Sequence, residues 1–141
     1  FSHHLIKESG QFAINLPTES LVRAVDWCGV KSGREIDKFA ACGLHAAPGS
    51  VLTDCPILEE SPLNLECKVT QVLELGSHDM FLAKVTAVQV DESLLDEKGK
   101  LDLNKAHLVA YSHGEYQTFD NILGTFGYSV KKKDKKEKKK R

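Results

Sequence analysis

The sequence predicts a mainly β domain, a small barrel that carries two helices inserted after its first visible strand. Three observations point there. Residues 11–16 alternate Phe12, Ile14 and Leu16 against Ala13 and Asn15, the two-residue period of a half-buried strand. Two long β-type segments, residues 63–75 and 80–90, flank the turn sequence Gly76-Ser77-His78-Asp79. Between the first strand and that hairpin, apolar side chains recur at helical spacing. Long strands joined by a tight turn cannot lie flat in isolation, and a small closed barrel is how such strands bury themselves.

Each element has its own signal. Pro17 ends the first strand, and Thr18 opens a helix with Leu21, Val22, Val25 and Cys28 on one face, stopped by Gly29. Ser32-Gly33-Arg34-Glu35 has capping-box spacing, so a second helix is expected to start at Ser32, turn Ile36, Phe39 and Ala40 inward, and end at Gly43. Residues 44–56, punctuated by Pro48, Gly49 and Pro56, read as loop. Leu63, Leu65, Cys67 and Val69 then alternate with Asn64, Glu66, Lys68 and Thr70, which predicts a wet face opposite an apolar one. Past Gln71 the phase slips through Val72, Leu73 and Leu75, the mark of a bulge or strong twist. The return strand is almost wholly apolar. Residues 91–104 form a charged connector turning at Lys98-Gly99-Lys100, and residues 108–111 a last short strand.

Composition narrows the function classes. The 141 residues suit one domain, and 41% hydrophobic with 28% charged side chains is ordinary for a soluble protein. No apolar run approaches the roughly 20 residues of a membrane span, and no secretory signal pattern is present. Cys28, Cys42, Cys55 and Cys67, with no C-x-x-C, read as small apolar fillers in a reducing compartment, which implies the cytoplasm. Asp96-Glu97-Lys98-Gly99 lacks the alternating ligands of a calcium loop. His3-His4, His45 and His107 show no metal-ligand spacing, so no metal is expected. Of 19 basic and 20 acidic side chains, nine and two lie in residues 131–141, which leaves the other 130 residues with a charge of −8. An acidic body argues against nucleic-acid binding by the fold. Only the Lys-rich tail, expected to be disordered, offers polyanions a contact. The domain is therefore placed at residues 1–130. The opening FSHHLIKES reads as mid-domain sequence, as from a truncated or processed start.

Three stretches carry polar residues where a generic barrel needs only turns: Cys28-Gly29-Val30-Lys31-Ser32-Gly33 running on to Asp37-Lys38-Phe39, then Gly76-Ser77-His78-Asp79, then Ser112-His113-Gly114-Glu115-Tyr116. In this order and spacing they resemble the flavin reductase-like family of FMN-binding split barrels, most closely its flavoredoxin branch, over residues 1–130. The resemblance implies a Greek-key split barrel, a homodimer, and FMN held near the subunit interface, with NAD(P)H or a redox protein as electron source. It also implies that the family's first strands, which supply much of the flavin contact, precede Phe1. Where many members carry Gly-Asp-His at the hairpin turn, this chain has Gly76-Ser77-His78, with the acid at Asp79.

On that resemblance the catalytic candidates are His78, on the nucleotide side, and His113, whose neighbour Gly114 lets backbone approach the flavin ring closely. As a plain turn or rim histidine, neither needs a function. The cofactor-binding candidates are Ser2 near the phosphate, Lys31, Ser32, Lys38 and Tyr116. Ser32 reads most simply as a helix cap, the two lysines as solvated surface, and Tyr116 as readily as packing. No side-chain nucleophile is required, because the cofactor carries the redox chemistry while the protein orients it. The expected activity is hydride or electron transfer through FMN, as a reductase or a flavoredoxin-like carrier. The rivals are a non-catalytic flavin-binding protein on the same scaffold and a polyanion binder acting through the tail.

Overall fold

A computed structural model describes residues 1–119 and 121–131. Helix α1 (Ser2–Ser9) leads through Gly10, in the left-handed conformation at φ 65°, into strand β1 (Gln11–Asn15). A 3₁₀ turn (Glu19–Leu21) runs directly into α2 (Val22–Val30), and α3 (Lys38–Cys42) follows. Two-residue strands β2 (Ala46–Ala47) and β3 (Ile57–Leu58) pair with each other. The long strands β4 (Leu63–Glu74) and β5 (Asp79–Val90) form the expected hairpin, and β1 pairs antiparallel with β4, giving the order β1-β4-β5. A final hairpin joins β6 (Val109–Ser112) to β7 (Glu115–Thr118). None of these sheets closes on itself, as in a split barrel.

The predicted phase slip is two bulges. Register jumps from Glu66↔Ala87 to Cys67↔Val85, leaving Thr86 unpaired, and from Val69↔Ala83 to Gln71↔Leu82, leaving Thr70 unpaired. Both extra residues are threonines. The Thr86 hydroxyl donates to the Glu66 carbonyl at 3.0 Å and the Thr70 hydroxyl to the Leu82 carbonyl at 3.1 Å. Each bulge thus keeps a bond across the hairpin where the ladder loses one.

The expected wet face of β4 is wet only at its far end: Lys68 and Thr70 are exposed, while Asn64 and Glu66 are buried. The row Asn15–Asn64–Gln89 and the neighbouring Glu66 lie under the loop between β2 and β4. Glu66 is 0% exposed. Its carboxylate accepts from the backbone N–H groups of Ser50, Val51 and Leu52, the Ser50 hydroxyl and the Gln89 amide, at 2.7–2.9 Å. Burial pushes the carboxyl's pKa up, but these donors outweigh it and hold the group well below the ordinary carboxylate range. Gly49 is required beneath it, because a Cβ there would lie 2.8 Å from both Glu66 Oε2 and the Leu52 carbonyl.

Other sequence expectations shift by a few residues. Gly29 does not stop α2, which ends at Lys31 in an extended conformation. Ser32 does not cap α3. Asp37 does, accepting from Phe39 N–H at 3.0 Å and Ala40 N–H at 3.2 Å, while left-handed Gly43 ends the helix as expected. Strand 108–111 is not the last, since β7 pairs with it. Apart from Lys131, the Lys-rich tail lies outside the described residues.

Candidate cofactor site

Helix α1 starts at Ser2, with Phe1 in its N-cap position. A helix start carries the positive end of the helix dipole, which favours anions. Two sets of contacts fix where that helix end sits. On the sheet side, His3 Nε2 lies 2.7 Å from Asp79 Oδ2, and Lys7 bonds Glu74 at 2.7 Å and approaches Asp79 at 3.7 Å. The His3 ring also meets Phe81 edge-on at 5.6 Å. The hydrogen bond from His3, helped by the Lys7 charge, holds the Asp79 carboxyl below its usual range.

On the other side, the Phe1 ring covers Gly33. A Cβ on that glycine would stand 3.1 Å from the Phe1 ring, so a side chain at residue 33 would crowd the loop after α2 against the helix end. The Arg34 guanidinium stacks over the same ring, 5.9 Å from its centre. The Ser32 hydroxyl accepts from Arg34 N–H at 3.3 Å, which shapes the tight turn. The α1 N-terminus with Ser2, the Ser32-Gly33-Arg34 turn, and the hairpin tip carrying His78 and Asp79 thus converge.

The remaining candidates divide. The Lys38 ammonium donates to the Cys28 carbonyl, one of the last, otherwise unpaired acceptors of α2, and so acts as that helix's C-terminal cation. Lys31 is exposed at the end of α2. His78 is exposed, and its Nδ1 lies 3.0 Å from the Ser77 hydroxyl. His113 and Gly114, at φ 52° and 85°, are the two central residues of the β6–β7 turn, both left-handed as a type I′ hairpin requires. Tyr116 meets Tyr111 with the rings tilted by 58° and their centres 5.0 Å apart, and its hydroxyl donates to Asp26 Oδ1 of α2 at 3.3 Å. Burial and the Asp26 charge push the Tyr116 phenol's pKa up. The structure therefore brings Ser2, Ser32 and His78 to one end of the molecule and sets His113 and Tyr116 on a hairpin docked to α2. Arg34 escaped sequence reading, although its place after Ser32-Gly33 was the signal.

Residues 1–120 match the sequence profile described as flavin reductase like domain. The chain belongs to that family. The flavoredoxin of Desulfovibrio vulgaris (Miyazaki F) superposes with a TM-score of 0.84 at 33% identity, covering 93% of this chain and 70% of that one. An uncharacterized protein of Archaeoglobus fulgidus is 31% identical over 115 residues, 82% of this chain, and the chain spans only 63% of that relative's length. The FMN reductase (NADH) RutF of Acinetobacter baylyi is 35% identical over 54 residues, 38% of this chain and 27% of that protein. The fold is the mainly β split barrel of these flavin proteins.

The residues present fit the phosphate end of a flavin mononucleotide. A helix start, an arginine and two serine hydroxyls match a dianion's needs. Among the described residues no group of three or more His, Cys, Asp or Glu side chains could hold a metal, and no helix is long and apolar enough to cross a membrane.

Proposed function

We propose that this chain binds FMN with its phosphate at the N-terminus of α1, and that it passes electrons or hydride between a reduced nicotinamide nucleotide or redox protein and the flavin. The observation that carries the reading is the Phe1–Gly33–Arg34 junction, which sets Arg34 and the Ser32 turn beside the start of α1. When bound, the flavin supplies the redox chemistry. The protein's part is to neutralise the phosphate with Arg34 and the helix end, to present the Ser2 and Ser32 hydroxyls, and to keep the site's wall rigid through the His3–Asp79–Lys7 contacts. His78, next to Asp79, stands where it can donate to an arriving nucleotide. A homodimer in the cytoplasm is the setting proposed for this activity.

The test is fluorescence titration of FMN into the protein and its Arg34→Ala variant. A hydrogen-bonded charge contact is worth about 1.5–3 kcal/mol, so affinity should fall roughly 10- to 100-fold in the variant. Equal affinity in both proteins would remove the phosphate from this junction. NAD(P)H oxidation with bound FMN then separates an enzyme from the non-catalytic binding protein that the same scaffold also supports.

A further inference from the structure

We propose that Cys28 and Cys42 are a reversible dithiol–disulfide pair that staples the end of α2 to the end of α3. The two sulfurs lie 3.9 Å apart although the residues are fourteen positions apart in sequence. A disulfide needs its sulfurs to close to about 2.05 Å, so a side-chain rotation with a small backbone shift makes the bond. Left-handed Gly43 follows Cys42 and Gly29 follows Cys28, and neither has an atom within 4 Å of where a Cβ would stand, so both ends have room to adjust. The Lys38 ammonium, fixed to the Cys28 carbonyl, holds the two helices in this relation before any bond forms.

The pair divides the chemistry. Cys42 lines an open cleft of about 390 Å³ with Arg23, Ala24, Trp27 and Ala41, which admits a small oxidant such as a peroxide. Cys28, half-buried, keeps its proton because burial and the bond with Cys42 push its thiol pKa up. The Cys42 thiolate attacks one peroxide oxygen, the O–O bond breaks, and the products are a sulfenic acid and hydroxide. The Cys28 sulfur then displaces the sulfenic oxygen. The S–S bond forms as the S–O bond breaks, and water leaves with the Cys28 proton. Two thiols are oxidised and one peroxide is reduced to two oxygens at the water level. A dithiol reductant reverses the step. The bond would enclose residues 29–41, the segment that holds Lys31, Ser32, Gly33 and Arg34, and so fix the turn that meets α1. Cys55 and Cys67 make their sulfur contacts to the carbonyls of Pro56 and Leu65 instead.

The experiment treats the full chain with stoichiometric hydrogen peroxide, counts free thiols, and maps tryptic peptides by mass without and with reduction. The expected result is loss of two of the four thiols, a linked peptide containing Cys28 and Cys42, and a higher melting midpoint that returns to its starting value on reduction. Cys42→Ser should leave Cys28 unlinked, and Cys28→Ser should stop Cys42 at the sulfenic acid, which a dimedone adduct reports. All four thiols surviving, a link through Cys55 or Cys67, or overoxidation of Cys42 with no link would overturn the proposal. None of these readouts depends on bound flavin.

Discussion

Glu66 shows at the scale of one residue what alternation in a sequence cannot say. Its place among Asn64, Lys68 and Thr70 marks a polar face, and polar faces are ordinarily wet. Whether water reaches that face depends on a loop fourteen or more residues earlier, whose backbone N–H groups at Ser50, Val51 and Leu52 need an acceptor. Replacing Glu66 with Ala strands these donors, at about 1–3 kcal/mol each, so urea unfolding should show a loss of at least about 3 kcal/mol. The pH dependence has a definite sign. The folded carboxyl is held below its unfolded value of about 4.3, so its stabilisation is fully present above that pH and is lost as pH falls through the acid range. The wild type should therefore lose more stability between about pH 6 and about pH 3, on either side of the unfolded value of about 4.3, than Glu66→Gln, which has no charge to lose. Parallel melting curves over that range check it, and identical slopes would show that Glu66 titrates no differently when folded.

At the scale of elements, strands were more legible than helix ends. The period-two pattern and the Gly76 turn placed β1, β4 and β5 because those signals are local. Helix α1 has no such local signal: it is short, and a hydrogen bond from His3 and an ion pair from Lys7 to the β4–β5 hairpin hold it. The Ser32 capping box failed because Asp37 caps more effectively, satisfying two N–H groups, while Gly33 is a poor helix former used here for close approach. Asp37→Ala should thus cost about 1 kcal/mol, while Ser32→Ala should stay within about 0.5 kcal/mol and register in FMN affinity instead. Chemical denaturation beside flavin titration distinguishes the two. The β6–β7 hairpin offers a cleaner test of His113 than alanine does. Asn-Gly is the preferred pair for a type I′ turn, so His113→Asn keeps the turn that φ 52° demands. If the imidazole acts on the flavin, this variant should reduce bound FMN more slowly in stopped flow with an unchanged melting midpoint. Unchanged kinetics would leave His113 a turn residue.

Across the whole molecule, the fold class was readable and the placement of its surfaces was not. Of the proposed site, Ser2, Ser32 and His78 stand out in the sequence, but Arg34 becomes visible only when Phe1 folds back over Gly33. The sheet carries the larger surprise. Its polar row at Asn64 and Glu66 is closed by the segment before β4, while in the apolar rows Phe12–Cys67–Val85 and Ile14–Leu65–Val88, with Cys67 itself buried, Ile14, Val85 and Val88 stay 44%, 47% and 52% exposed. Apolar groups aligned in register across three strands are a poor surface for water, and burying them releases about 25 cal/mol per Å². The homodimer proposed above gives this face a partner: a second copy presents the same rows, as a two-fold interface requires. Val88→Lys puts a charge in the middle of that face without disturbing β5, whose side chain there already points outward. If the rows meet across the dimer, sedimentation equilibrium should show the native chain as a dimer and the variant shifted to monomer. The far-ultraviolet circular dichroism of the variant should be unchanged. A native chain that sediments as a monomer, or a variant that remains a dimer, would take the apolar face out of the interface.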